Sequence, residues 1–182
     1  QGGLAIYGGI IAAVITVFVF ARKRELSVRR LLDTACYGLV LGQAIGRWGN
    51  FFNREAFGEY TNGLFAMRIP LDAVRSSDVT QMMRDNLQVI DGVGYIQVHP
   101  TFLYESVWNI GVFIALILLR KSGKFSERML AWYLILYGAG RVWMEGLRTD
   151  SLYLFNTGIR VSQALSMAMI ITGIVMLVIM GR

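Results

Sequence analysis

Apolar residues along this chain come in long runs rather than at the spacing of a half-buried helix or strand. Five such runs, at 4–21, 31–45, 102–119, 129–144 and 161–180, are separated by short polar connections and one long one. A helix needs about 20 residues to cross the hydrocarbon core of a bilayer. The last run reaches that length alone and the first and third nearly do; the second and fourth need their flanking glycines and aromatics. The pattern predicts an all-α polytopic membrane protein, with five transmembrane helices in one integral membrane domain over residues 1–182. The long connection breaks the pattern at about residues 57–98. There LFAMRIP (64–70) and GYIQVHP (94–100) alternate like strands, each ending at a proline. Between them SSDVTQMMRDNLQ offers Ser76, Ser77 or Asp78 as an N-cap before a short helical pattern. A small α+β head is expected.

Charge placement adds an orientation. The segment 22–30 holds five basic residues and one acid, and 120–128 holds four and one. Both connect alternate pairs of runs, so both face one side, and short loops rich in Lys and Arg stay cytoplasmic. The connection 46–101 carries five arginines against six acids and no lysine, which puts the head outside. Half of the basic residues lie in the two short loops, so the net charge of +6 needs no nucleic-acid partner to explain it. The charged fraction, 16%, falls below the soluble norm of about 25% and supports the membrane reading. A run that begins at Leu4 without a charged segment before it is not a signal peptide, and the chain reads as a piece whose natural start lies upstream. The single cysteine, Cys36, lies inside the second run; it permits no intramolecular disulfide, and neither a metal site nor a cofactor is expected.

Ionisable residues on apolar helices carry the chemistry, because each costs roughly 2.5–3.5 kcal/mol at a helix centre and so faces a cavity or a partner. In YGAGRVWMEGLR (137–148), Tyr137, Arg141, Glu145 and Arg148 share one helix face, within an arc of about 80°. A self-neutralising Arg141–Glu145 pair is the plain alternative. HPTFLYES (99–106) places Glu105 one turn into the third run. His99, the only histidine, reads by itself as structural. GRWGNFFNREAFGEY (46–60) packs arginines, asparagines and glutamates against the end of the second run, where Gly38, Gly42 and Gly46 predict close approach of another helix. Guanidinium forks suit phosphate geometry, and Arg47, Arg141 and Arg148 fall at one depth, so an anionic lipid headgroup is the expected ligand. Trp48, Phe51, Phe52 and Phe57 fit an interfacial aromatic belt.

These motifs, in this order, resemble the prolipoprotein diacylglyceryl transferase family of bacteria. Gly46, Arg47, Gly49, Asn50, Phe51, Asn53, Glu55 and Gly58 match that family's signature, and RVSQALS (160–166) resembles the start of its last span. The resemblance implies seven spans, of which five are seen here, in the bacterial cytoplasmic membrane with the active site toward the outer leaflet. It implies transfer of the diacylglyceryl group of phosphatidylglycerol to the lipobox cysteine of a prolipoprotein, without a metal. It also implies that Arg47 contacts the lipid phosphate, that Arg141 is the second essential arginine, and that Glu145 orients Arg141. Asn50, Asn53, Glu55, Gly58, Tyr137 and His99 join the substrate-binding set. Where the family commonly has a histidine before Gly8-Gly9, this chain has Tyr7, a poor base at neutral pH. Either Tyr7 hydrogen-bonds or the thiol proton goes elsewhere, to Glu145, Glu55 or His99. A transporter fragment and a non-catalytic lipid-binding scaffold are the rival readings; the first predicts charges near mid-membrane, and only product formation separates the second.

Overall fold

The computed structural model describes residues 3–123, 128–149 and 160–181, without the side chains of residues 3–7 and 10. Every apolar run is a helix. The long helices are α1 (Gly3–Lys23), α2 (Val28–Asn53), α4 (Thr101–Lys121), α5 (Met129–Leu147) and α6 (Val161–Gly181), with a short α3 (Gln81–Asp85) between α2 and α4. α4 and α6 are by themselves long and apolar enough to cross a membrane, with mean hydropathies of 1.9 and 2.4. Large apolar side chains face outward, among them Ile11, Ile15 and Phe18 on α1 and Ile171, Val175 and Ile179 on α6. A surface that apolar calls for lipid or a partner rather than water.

The bundle is held by Cys36 and Val40 of α2, Val112 and Leu116 of α4, and Met129 and Tyr133 of α5. Two polar contacts tie its basic end. The Asp33 carboxylate on α2 accepts the Leu130 N–H at 2.7 Å, satisfying a donor in the first turn of α5 that has no intrahelical partner. Arg128 donates to the Met180 carbonyl near the end of α6.

Close helix approach occurs, but not where the glycine spacing predicts it. A Cβ on Gly38, Gly42 or Gly46 would meet nothing within 4 Å. The tight contacts are at Gly138, Gly140 and Gly173, where a Cβ would fall within 3 Å of α6, the Trp108 indole and the α5 backbone respectively. Four-residue spacing shows that a face is smooth, not which helix covers it.

The head is a three-stranded antiparallel sheet in the order β1 (Met67–Pro70), β3 (Val93–Val98), β2 (Gln88–Ile90). Ile69 pairs with Ile96, and Val89 with Gly94. β2 was not foreseen, although Asp91 and Gly92 between it and β3 have φ of 50° and 80°, the conformation that Asp-Gly hairpin turns favour. The helix starts later than expected. Ser76–Asp78 forms a 3-10 turn, and Thr80 caps α3 by accepting the Met83 N–H. Phe57, Ile69, Val79, Met83, Ile96 and Val98 make the head's core. Phe57, only 2% exposed, is therefore a core residue and not part of an aromatic belt, in contrast to Phe52 at 75%.

Candidate functional site

The signature motif is first of all a corner. α2 runs through it to Asn53, and Arg54 then takes a left-handed conformation (φ 54°) while the Glu55 N–H closes on the Asn50 carbonyl at 3.0 Å. Ala56 is left-handed too (φ 55°), so the chain turns back within three residues. The Thr101 hydroxyl donates to the Ala56 carbonyl and fixes the turn to α4. Gly58 then lands where α4 and α5 meet. Its N–H donates to the His99 carbonyl at 3.0 Å, and the next N–H, of Glu59, donates to the Leu147 carbonyl at 3.2 Å. A Cβ on Gly58 would sit 2.8 Å from the His99 Cβ and 2.9 Å from the Leu147 oxygen, so only glycine fits.

Inside this corner, at the end of the bundle away from the basic connections, three arginines surround one carboxylate. Glu105 on α4 is 3% exposed. Its Oε2 lies 2.7 Å from Arg47 Nε on α2 and 2.8 Å from Arg141 Nη1 on α5. Arg148 Nη1 is 3.9 Å from the other oxygen, Oε1, which makes no hydrogen bond. The second fork nitrogen of Arg141 reaches Glu145 at 2.9 Å, so this guanidinium spans two buried carboxylates and is fixed in orientation. Arg160, just before α6, donates to the Glu145 carbonyl. Arg47, Arg141 and Arg148 thus meet Glu105, and Arg141 also Glu145, in a largely buried place. Arg47 is held through Nε. Among the described residues its two terminal nitrogens have no partner, although the side chain is 19% exposed. A phosphate or another anion would satisfy the Arg47 fork.

The other expected residues divide. Tyr137 lines a small cavity with Glu105, Asn109 and Arg141, its ring stacked on Tyr133 at 5.4 Å. Asn50 is half-buried one turn beyond Arg47. His99 holds the head through its backbone, and its Nδ1 is 3.3 Å from the Tyr104 hydroxyl. Asn53 and Glu55 bond to each other at 3.2 Å and line a separate polar cavity of about 260 Å³ with Arg54, Asp72, Arg75 and Asp78. No hydrogen bond or ion pair among the described residues joins them to the Glu105 cluster. Tyr7 lies on α1, and its side chain is outside those described.

An apolar groove of about 590 Å³ runs between α4 and α5, lined by Leu103, Tyr104, Trp108, Ala115, Leu136 and Trp143 and reached by Phe65 of the head. Trp108 separates it from the small cavity and lines both, as does Met144. The Trp108 indole is seated by donating to the Leu136 carbonyl at 3.0 Å, over the space left by Gly140.

Glu105 carries the geometry, yet the sequence reading gave it no role. The available signal was the one applied to Arg141. A carboxylate one turn into an apolar helix, with basic residues of that helix only at Arg120 and Lys121, has to be paired across helices.

The chain matches the family model described as "Prolipoprotein diacylglyceryl transferase" over residues 1–179. It is 44% identical over 181 residues to a protein of Oceanobacillus iheyensis named phosphatidylglycerol–prolipoprotein diacylglyceryl transferase, covering 98% of this chain and 58% of that protein. Proteins of the same name from Finegoldia magna (46% over 176 residues, 96% of this chain and 60% of the relative) and Enterococcus faecalis (44% over 184 residues, 100% and 62%) are similar as well. The chain thus spans about three-fifths of the length of these relatives. With its signature corner and arginine cluster in place, this chain belongs to the prolipoprotein diacylglyceryl transferase family.

Proposed function

We propose that this chain is part of an enzyme that transfers the diacylglyceryl group of phosphatidylglycerol to the cysteine thiol of a prolipoprotein lipobox. The thiol sulfur attacks the diacylglyceryl carbon that bears the phosphate. A C–S bond forms, the C–O bond to phosphate breaks, and glycerol phosphate leaves. The thiol proton passes to a base, for which Glu145, Glu55 and His99 are the candidates. The phosphate goes from a singly charged diester toward a doubly charged monoester, so groups that bind negative charge stabilise the transition state more than the ground state.

The observation that carries this reading is the Arg47 guanidinium, held through Nε at 2.7 Å from Glu105 with its terminal nitrogens unpartnered among the described residues. Arg47 binds the phosphate, and Arg141, fixed by Glu105 and Glu145, stabilises the departing charge. Asn50, Tyr137, Tyr7 and His99 complete the headgroup pocket by hydrogen bonding. Asn53, Glu55 and Gly58 belong to the corner that frames it. The α4–α5 groove takes an acyl chain, since it is apolar, adjoins the arginine cluster through Trp108 and Met144, and has the size of a ligand site. The five long helices cross the bacterial cytoplasmic membrane. The basic connections lie inside, and the head and site face the outer leaflet.

The test is a transfer assay on the full-length protein with phosphatidylglycerol and a lipobox peptide, read by mass spectrometry. A diacylglyceryl thioether on the peptide cysteine, with glycerol phosphate released, is expected. Bound lipid with no adduct would overturn the transferase reading in favour of a lipid-binding scaffold.

A further inference from the structure

Asn109 stands one turn beyond Glu105 on the same face of α4, at i+4. It is 2% exposed, yet its side-chain amide makes no hydrogen bond among the described residues. Buried amides are almost always paired, and leaving one unpaired is costly. The amide lines the small cavity shared with Glu105, Tyr137 and Arg141. Glu105 lines the same cavity, and its Oε1, 3.9 Å from Arg148 Nη1, is buried without a hydrogen bond. The free volume, about 10 Å³, admits the centre of one water-sized group and nothing larger. A buried carboxylate and a buried amide, on successive turns of one helix, border a space the size of a hydroxyl, which can donate to the carboxylate and accept from the amide N–H. An apolar group would leave both unsatisfied. A phosphate oxygen would be repelled by the carboxylate.

We infer that Asn109 and Glu105 Oε1 form a hydroxyl subsite that selects the glycerol headgroup of the lipid, next to the arginines that hold its phosphate. The inference rests on the anionic-headgroup reading above and adds to it the source of headgroup selectivity. A site built around a hydroxyl discriminates against the analogue that lacks it, because its polar groups are then left buried and unpaired.

The test compares phosphatidylglycerol with phosphatidylpropanol of identical acyl chains, which has the same phosphodiester charge and no headgroup hydroxyl. Binding of each to the purified full-length protein in detergent is titrated by native mass spectrometry. The wild type is expected to prefer phosphatidylglycerol by about 3–10-fold, the range of one net hydrogen bond. Asn109→Leu should bring that preference close to unity while phosphatidylpropanol binds as before. Asn109→Ala, which cannot overpack the cavity, is the second variant and should do the same. A merely structural role for Asn109 would weaken both lipids together. A full preference retained in Asn109→Ala overturns the inference. So does equal binding of the two lipids by the wild type, in which case the cavity holds only a water and the headgroup reading stands. Binding of neither lipid overturns both.

Discussion

Glu105 is the point where the cluster is most exposed to perturbation. Its carboxylate lies within 2.7–2.8 Å of Arg47 and Arg141, and all three side chains are at least four-fifths buried. Replacing it with alanine removes the counter-charge from two adjacent guanidiniums. Breaking a buried pair in this way costs about 3–5 kcal/mol, mostly because Arg47 stays largely buried without its counter-charge, while Arg141 keeps Glu145. Glu105→Gln is the more informative change. It keeps the shape and one acceptor oxygen but loses the charge that holds Arg47 through Nε. The headgroup then meets a guanidinium that is no longer oriented, and transfer should fall about 10²–10³-fold, the cost of losing one preorganised charge-stabilising group. Because Glu105 acts through the arginines, the loss should fall on kcat as well as on lipid KM. The assay is initial-rate transfer to a lipobox peptide over a range of phosphatidylglycerol, with thermal unfolding in the same detergent as control. Glu105→Gln with near-normal kcat at equal folded protein would refute the hub role.

Three further outcomes follow from the packing. Gly58→Ala should destabilise by about 1–3 kcal/mol, since its Cβ would meet backbone at 2.9 Å, and limited proteolysis should cut within 59–98 sooner than in the wild type. Phe57→Ala should cost about 3–5 kcal/mol by opening a hole in the head core, whereas Phe52→Ala, at an exposed position, should leave thermal unfolding unchanged. Ala115→Trp narrows the α4–α5 groove away from the arginines. It should slow transfer from long-chain phosphatidylglycerol more than from a short-chain form, and an equal effect on both would argue against an acyl chain there.

Much of this was legible in the sequence, and the limits have physical causes. The apolar runs located all five long helices because a long unbroken apolar stretch shows in the composition alone. Composition marks the apolar run rather than the helix, however: α2 continues from the predicted end at 45 to Asn53, since polar residues at a helix end break no hydrogen bonds. Arg47 and Arg141 are held by one carboxylate, and Glu145 joins them through Arg141. That carboxylate, Glu105, was not assigned, because its partners are on other helices and spacing along a chain says nothing about distances across a bundle. Phe57 looked like its neighbours in the motif until the two left-handed residues at 54 and 56 turned it into the head. Only the backbone reveals that turn. Asn109 carries no local pattern at all; what distinguishes it is burial without a hydrogen bond.

The most direct measurement is a structure of the full-length protein with phosphatidylglycerol bound. The phosphate should lie within hydrogen-bond distance of the Arg47 terminal nitrogens and close to Arg141, with an acyl chain along the α4–α5 groove. A headgroup resolved away from both arginines, with Arg47 still turned only toward Glu105, would contradict the assignment of this cluster as the lipid site.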